Sequence, residues 1–174
     1  MRTFRALCAT AVLAGLALTG AGCVNSHGDV ADLGADRFPC IFATHADVRT
    51  VVDIAVVSHS IEPDGVTCVY HYGAAGAPGT FSIAVADATA SDRDMLAQTM
   101  DALGPMAAGS DTGARKLTGI GDLAYESQLP GYSGRVDFFK GAKEVQITCD
   151  LPRRLSDAEL DRLVDFARKV AGRV

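Results

Sequence analysis

Gly134-Arg135-Val136-Asp137-Phe138-Phe139-Lys140-Gly141-Ala142-Lys143-Glu144-Val145-Gln146-Ile147-Thr148-Cys149-Asp150 is the stretch whose reading decides the fold. Two runs flank the Gly141-Ala142 break. Val136 and Phe138 fall on one face of the first run, and Val145, Ile147 and Cys149 on one face of the second. That two-residue period belongs to half-buried strands, and the short glycine-containing break makes them a hairpin. Pro152 stops the second strand, and Ser156-Asp157-Ala158-Glu159 is a capping box. Leu160, Leu163, Val164, Ala167 and Val170 then mark one stripe of a helix, with Arg168, Lys169 and Arg173 where positive charge suits the helix dipole.

The pattern repeats upstream. Thr44-His45-Ala46-Asp47 predicts the start of a short helix ending near Val51. Ile54 to Ile61 and Val66 to Tyr72 read as strands joined by the turn Glu62-Pro63-Asp64-Gly65, with Cys68, Tyr70 and Tyr72 on one face. Thr80 to Asp87 alternates Phe81, Ile83 and Val85. Ser91-Asp92-Arg93-Asp94 opens a helix through Met95, Leu96, Thr99, Met100 and Leu103, which Gly104-Pro105 ends. Arg115 to Gln128 holds strand around Gly119-Ile120-Gly121-Asp122. These elements predict an α+β fold in a single domain: a mostly antiparallel sheet of about five to seven strands with two longer helices packed on one face.

The N-terminus is of another kind. Arg2 and Arg5 precede an uncharged apolar run, Ala6 to Leu18, and small residues lead into Cys23. A run of this length suits a signal peptide and falls short of the roughly 20 residues that span a bilayer. Residues 20–23 resemble the lipobox of bacterial lipoproteins, whose cysteine is diacylated before cleavage; Gly20 stands where leucine is usual. The expected division is a signal peptide over 1–22, a Gly-, Ala- and Ser-containing tether over 23–38, and a folded domain over 39–174. Two acyl chains would hold Cys23, and with it the domain, on the outer face of the cytoplasmic membrane.

Removing 22 of the 174 residues leaves 152, the size of one domain. The leader takes two of the 16 basic residues, so the mature part carries 14 against 21 acidic, a net charge of −7. That balance opposes nucleic-acid binding and adhesion to anionic head groups. Cys8 leaves with the leader and Cys23 is used by the lipid. Of Cys40, Cys68 and Cys149, two are expected to pair in an oxidising compartment and one to remain a thiol.

Each catalytic motif meets an objection from its context. Asp111-Thr112-Gly113 spells an aspartic-protease triplet, but it lies in a Gly- and Ala-rich loop and lacks the second copy that a shared-proton pair needs. Gly119-x-Gly121-x-x-Ala124 has a dinucleotide-site shape, yet strand-like residues follow and Asp122 would face the phosphates. Ser133 lies outside the spacing of a nucleophile elbow and reads as a turn residue. His59 and His71, on the two strands of one hairpin, suggest a metal pair, but no carboxylate cluster accompanies them and neither a metal nor a cofactor is expected. Tyr70, Tyr72, Tyr125 and Tyr132 read as packing residues before they read as a pocket lining.

Three stretches carry a family resemblance: Pro39-Cys40 with a short helix behind it, Gly65-Val66-Thr67-Cys68-Val69-Tyr70, and Gly119-Ile120-Gly121-Asp122-Leu123-Ala124-Tyr125. Over residues 38–172 the chain resembles the small actinobacterial envelope lipoproteins of the domain of unknown function 3558 type. The resemblance implies a Cys40–Cys68 disulfide and a motif turn at Gly119, Gly121 and Asp122, and it implies no chemistry. Cys149 departs from the family pattern; its place beside Val145 and Ile147 argues for a buried free thiol.

The expectation for function is therefore a membrane-anchored, non-catalytic binding module meeting an envelope protein or an apolar ligand. Its rivals are a carrier of a lipid and a hydrolase. The long Gly-rich segments 73–79, 105–114 and 130–134 are of the kind that carry recognition on a rigid scaffold. The address is checked by detergent-phase extraction. Wild-type protein should enter the detergent phase, and Cys23→Ser should remain unprocessed or be shed; wild-type protein left in the aqueous phase would contradict the lipid anchor.

Overall fold

A computed structural model describes residues 37–73, 79–106, 112–130 and 132–174. The leader, Cys23, His27, Asp111 and most of the tether lie outside the described residues. Among the described residues none of the helices is long and apolar enough to cross a membrane.

The alternation at 134–150 produces the centre of the molecule. Strands β6 (Tyr132–Lys140) and β7 (Lys143–Asp150) pair antiparallel and place Val136 opposite Ile147 and Phe138 opposite Val145. On its other side β7 pairs with β3 (Thr80–Asp87), setting Phe81 against Cys149 and Ile83 against Ile147. The rows continue outward to β2 (Thr67–Tyr72) and β1 (Val56–Ile61) on one flank, and to β5 (Leu123–Leu129) and β4 (Gly113–Leu117) on the other. The result is a seven-stranded sheet, entirely antiparallel, in the order β1-β2-β3-β7-β6-β5-β4. Two meanders thus share a seam at β3 and β7. The segment read as one strand from Arg115 to Gln128 is a hairpin, β4 and β5, turning through residues 118–122.

Helix α1 (His45–Val52) starts at the capping box of Thr44 and Asp47, α2 (Ala90–Leu103) at that of Thr89 and Asp92, and α3 (Asp157–Ala171) at that of Ser156 and Glu159. The cap of α2 is thus two residues earlier than the Ser91 start that the sequence suggests. At α3 the Arg153 guanidinium reaches Glu159 at 2.8 and 2.6 Å and, against the opposing effect of burial, holds its carboxyl down at about 2.

The helices do not share one face, which corrects the expectation. Leu160, Leu163, Val164, Phe166, Ala167 and Val170 of α3 join the core formed by the Phe81, Val136 and Ile147 rows. Gly134 lies at the contact: a Cβ there would meet Leu155 at 2.8 Å and Leu160 at 3.0 Å, so the helix rests on bare strand. Short α1 packs beside α3, and Arg162 of α3 donates to the Val51 carbonyl at 2.8 Å. Helix α2 instead buries Met100 against Ala114 and Tyr125. On β5, Ala124 stands opposite Phe138 in the apolar row, whereas Tyr125 stands opposite Asp137 on the reverse face. So α2 covers the other side of the sheet. A helical stripe says that a helix is covered on one side; it does not say by which face of a sheet whose residues alternate.

Cys40, in the 3-10 turn Cys40–Phe42 ahead of α1, is bonded to Cys68 of β2 with Cα atoms 5.2 Å apart and 28 residues between them in sequence. Cys149 is a buried free thiol. A loop of that length corresponds to roughly 3–4 kcal/mol of stability in the chain-entropy model. Denaturant unfolding with and without reductant should differ by about that amount, and non-reducing peptide mapping should return Cys40 linked to Cys68. A link from either to Cys149 would contradict this arrangement.

Candidate functional site

Because β6 and β7 alternate, the apolar row under α3 has a polar counterpart on the reverse face. Arg135 and Asp137 of β6 and Glu144, Gln146 and Thr148 of β7 make it up, with Asp137 opposite Gln146 and Arg135 opposite Thr148. Asp137 is fully buried. Arg135 meets it with Nε at 2.9 and 2.8 Å and Nη2 at 2.6 Å. Burial raises the Asp137 carboxyl above its ordinary range, more than the Arg135 guanidinium lowers it, and Glu144 adds to the rise. Gln146 donates to Glu144 at 2.9 Å. Next to this group, on β5, the Ser127 hydroxyl is buried without a hydrogen-bond partner.

Helix α2 roofs one end of this polar face and leaves a groove of about 290 Å³. Met95, Leu96, Thr99 and Met100 line it from the helix, and Leu129, Arg135, Glu144 and Gln146 from the sheet. Asp92 stands at its rim. Met95 is 63% exposed, so the roof is open to solvent. The N-terminal end of α2 is fixed by the Gly119–Asp122 turn. Gly121 has a φ of +54° and lies so close to the Phe139 carbonyl that no side chain fits. Asp122 accepts from the Gly141 amide at 2.9 Å, and Arg93 of α2 donates to the Gly141 carbonyl at 3.0 Å while covering the Phe139 ring. Gly119, with φ of +76°, opens the same turn. The Gly-x-Gly-Asp motif therefore ties α2 to the β6–β7 turn.

A second cleft, about 520 Å³, lies between β4 and α3 and is lined by Arg115, Lys116, Thr118, Asp161, Asp165 and Arg168. Its charges compensate one another: Arg168 meets Asp165 at 2.5 Å, and Arg115 reaches fully buried Glu126 at 2.5 Å.

The sequence-singled residues are dispersed. Ser133 lies in β6, not in a turn; its hydroxyl clamps the chain after β7, within 2.9 Å of the Leu151 carbonyl and 2.5 Å of that of Arg153. Tyr70 and Tyr72 are in the core on the α3 side and Tyr125 is under α2, so these three form no common lining; the side chain of Tyr132 lies outside what the structure describes. His71 stands opposite Ser58, while His59 stands opposite Tyr70, which puts the two histidines on different faces. The partner of His59 is His45, with Nε2 of His45 2.7 Å from Nδ1 of His59. Arg135, Asp137, Glu144 and Gln146 were legible only as the solvent side of a hairpin; the adjacent Phe138-Phe139 pair was the one sign that both faces of β6 are covered.

No protein-family model, curated protein or solved structure matches the chain.

The Arg135–Asp137 pair yields a stability test. Arg135→Ala leaves a buried carboxylate uncompensated and should cost about 3–5 kcal/mol. Replacing both, as Arg135→Met with Asp137→Leu, should cost less than that single change. Urea unfolding of the three proteins measures this, and a double variant as unstable as the single one would contradict the account.

Proposed function

We propose that the chain is a lipid-anchored, extracytoplasmic interaction module of the domain of unknown function 3558 type. It works by contact, and its contact site is the groove between α2 and the polar face of β6 and β7. The observation that carries this reading is the composition of the groove. Apolar side chains, two of them methionines, face a row of hydrogen-bonding groups across an opening to solvent. Methionine surfaces adapt to differently shaped partners. Arg135 is neutralised by Asp137, which leaves Glu144 and Asp92 as the charges that an incoming group meets. Together with a mature net charge of −7, this favours a protein segment that presents a basic residue beside an apolar one. The lipid on Cys23 would keep the groove at the membrane, where envelope partners are concentrated.

A photo-crosslinking residue at Met95, compared with one at Asp165 on the exposed side of α3, tests this in native membranes. Mass spectrometry should find a protein adduct at position 95 and not at 165, and Glu144→Lys should diminish it. A lipid adduct at position 95 would favour the carrier reading instead. Equal capture at both positions, or a hydrolytic activity that disappears in Asp111→Ala, would overturn the proposal.

A further inference from the structure

His45 is the first residue of α1, and His59 lies on β1, the outermost strand beyond β2. Their facing nitrogens are 2.7 Å apart, with ring centroids at 4.9 Å and ring planes crossing at 74°. We infer that this pair is a binding site for an imidazole-preferring divalent transition ion, Cu(II) or Zn(II), independent of the groove under α2.

The site is built before any ion arrives. The capping box of Thr44 and Asp47 fixes the turn that carries His45. Tyr70, 1% exposed, forms the floor: its ring lies edge-on to His45 at 5.9 Å and tilted against His59 at 5.8 Å. The Tyr70 hydroxyl donates to the Ala43 carbonyl at 2.8 Å, which locks the floor to the chain entering α1. The Cys40–Cys68 disulfide ties together the same two regions of chain, one ahead of α1 and one beside β1.

In the neutral pair one nitrogen presents a proton and the other a lone pair. Moving that proton to the outer nitrogen of the donor ring frees both inner lone pairs, which reach one ion once the rings turn off the line joining their nitrogens. Two metal–nitrogen bonds then replace one hydrogen bond, and no proton is released. Bonds of 2.0–2.1 Å at a tetrahedral angle need the nitrogens about 3.3 Å apart. The required opening is small, and β1 has an irregularity in its register next to His59, between Val56 and Ser58, where it can be absorbed.

The Asp47 carboxylate does not complete the site, because Thr44, Lys169 and Arg173 hold it at 2.7 to 3.1 Å. Among the described residues there is also no group of three or more His, Cys, Asp or Glu suited to an ion. Among the described residues the pair therefore supplies two imidazole ligands and no third ligand of the protein's own. Such a donor set disfavours Ca(II) and Mg(II), which take oxygen ligands, and ranks Cu(II) above Zn(II).

The test is calorimetric titration of the full chain, freed of any affinity tag, with Cu(II) and Zn(II) salts. One equivalent should bind, Cu(II) more tightly. Either His45→Gln or His59→Gln should weaken it roughly tenfold or more, while His27→Gln and His71→Gln should match the wild type. Acidification should weaken binding, because protons compete for the same lone pairs. In case the glutamine variants misfold, the wild type supplies a second readout: Zn(II) should shift the ring resonances of His45 and His59 and leave those of His71 in place. Absence of binding, undiminished binding in either glutamine variant, loss of binding in His27→Gln, or unshifted His45 and His59 resonances would each overturn the inference.

Discussion

The contact of α3 with the bare backbone of β6 at Gly134 is the constraint on which the rest of the structure depends. With no side chain at that position, Leu155, Leu160 and Leu163 come down onto the strand itself. The helix is thereby seated over the centre of the sheet, where Val136, Ile147 and Phe81 are all buried. Helix α1 then finds its place beside α3, held by Arg162 on the Val51 carbonyl and by Lys169 and Arg173 on Asp47. The disulfide and Tyr70 attach α1 in turn to β2. One face of the sheet is used up by this chain of contacts, and α2 is left with the other.

That division gives the molecule two unlike sides. Below α3 the packing is apolar and continuous. On the other side α2, with one buried residue, Met100, covers an ionic pair, a carboxylate and amide pair and an unpartnered hydroxyl. Hydrophobic burial contributes least there, and polar groups that exchange protein partners for a ligand lose least. A recognition groove is better placed on such a face than in a close-packed core, where any displacement creates a cavity or a clash.

Much of the architecture was legible in residues whose chemistry is local. The alternation in Val136–Phe138 and Val145–Cys149, the turn at Asp64-Gly65, and the capping boxes at Thr44 and Ser156 act within a few residues of themselves. What failed depends on distant partners. Nothing near α2 states which face of the sheet it will meet. In β5, Ala124 and Tyr125 are both buried, so alternation disappears and the strand merges with its neighbours in the sequence. The groove was hidden for a related reason: the polar residues of β6 and β7 read as a wet face until α2 is laid over them. His45 and His59 come from a helix and a strand 14 residues apart and carry no shared motif.

Cys149 lies opposite Phe81 on one side and Gly134 on the other, in a strand with neighbours on both flanks. Burial pushes its thiol up to about 12. Only the thiolate attacks disulfides, so at neutral pH the folded chain leaves this sulfur almost entirely unreactive. The seam between the two meanders therefore acts as a kinetic gate on oxidation. Before β7 is inserted, all three thiols are open to oxidation; once Cys149 is buried in the seam, Cys40 and Cys68 are the two left to pair. The order in which the seam closes and an oxidant arrives therefore bears on which two cysteines are linked.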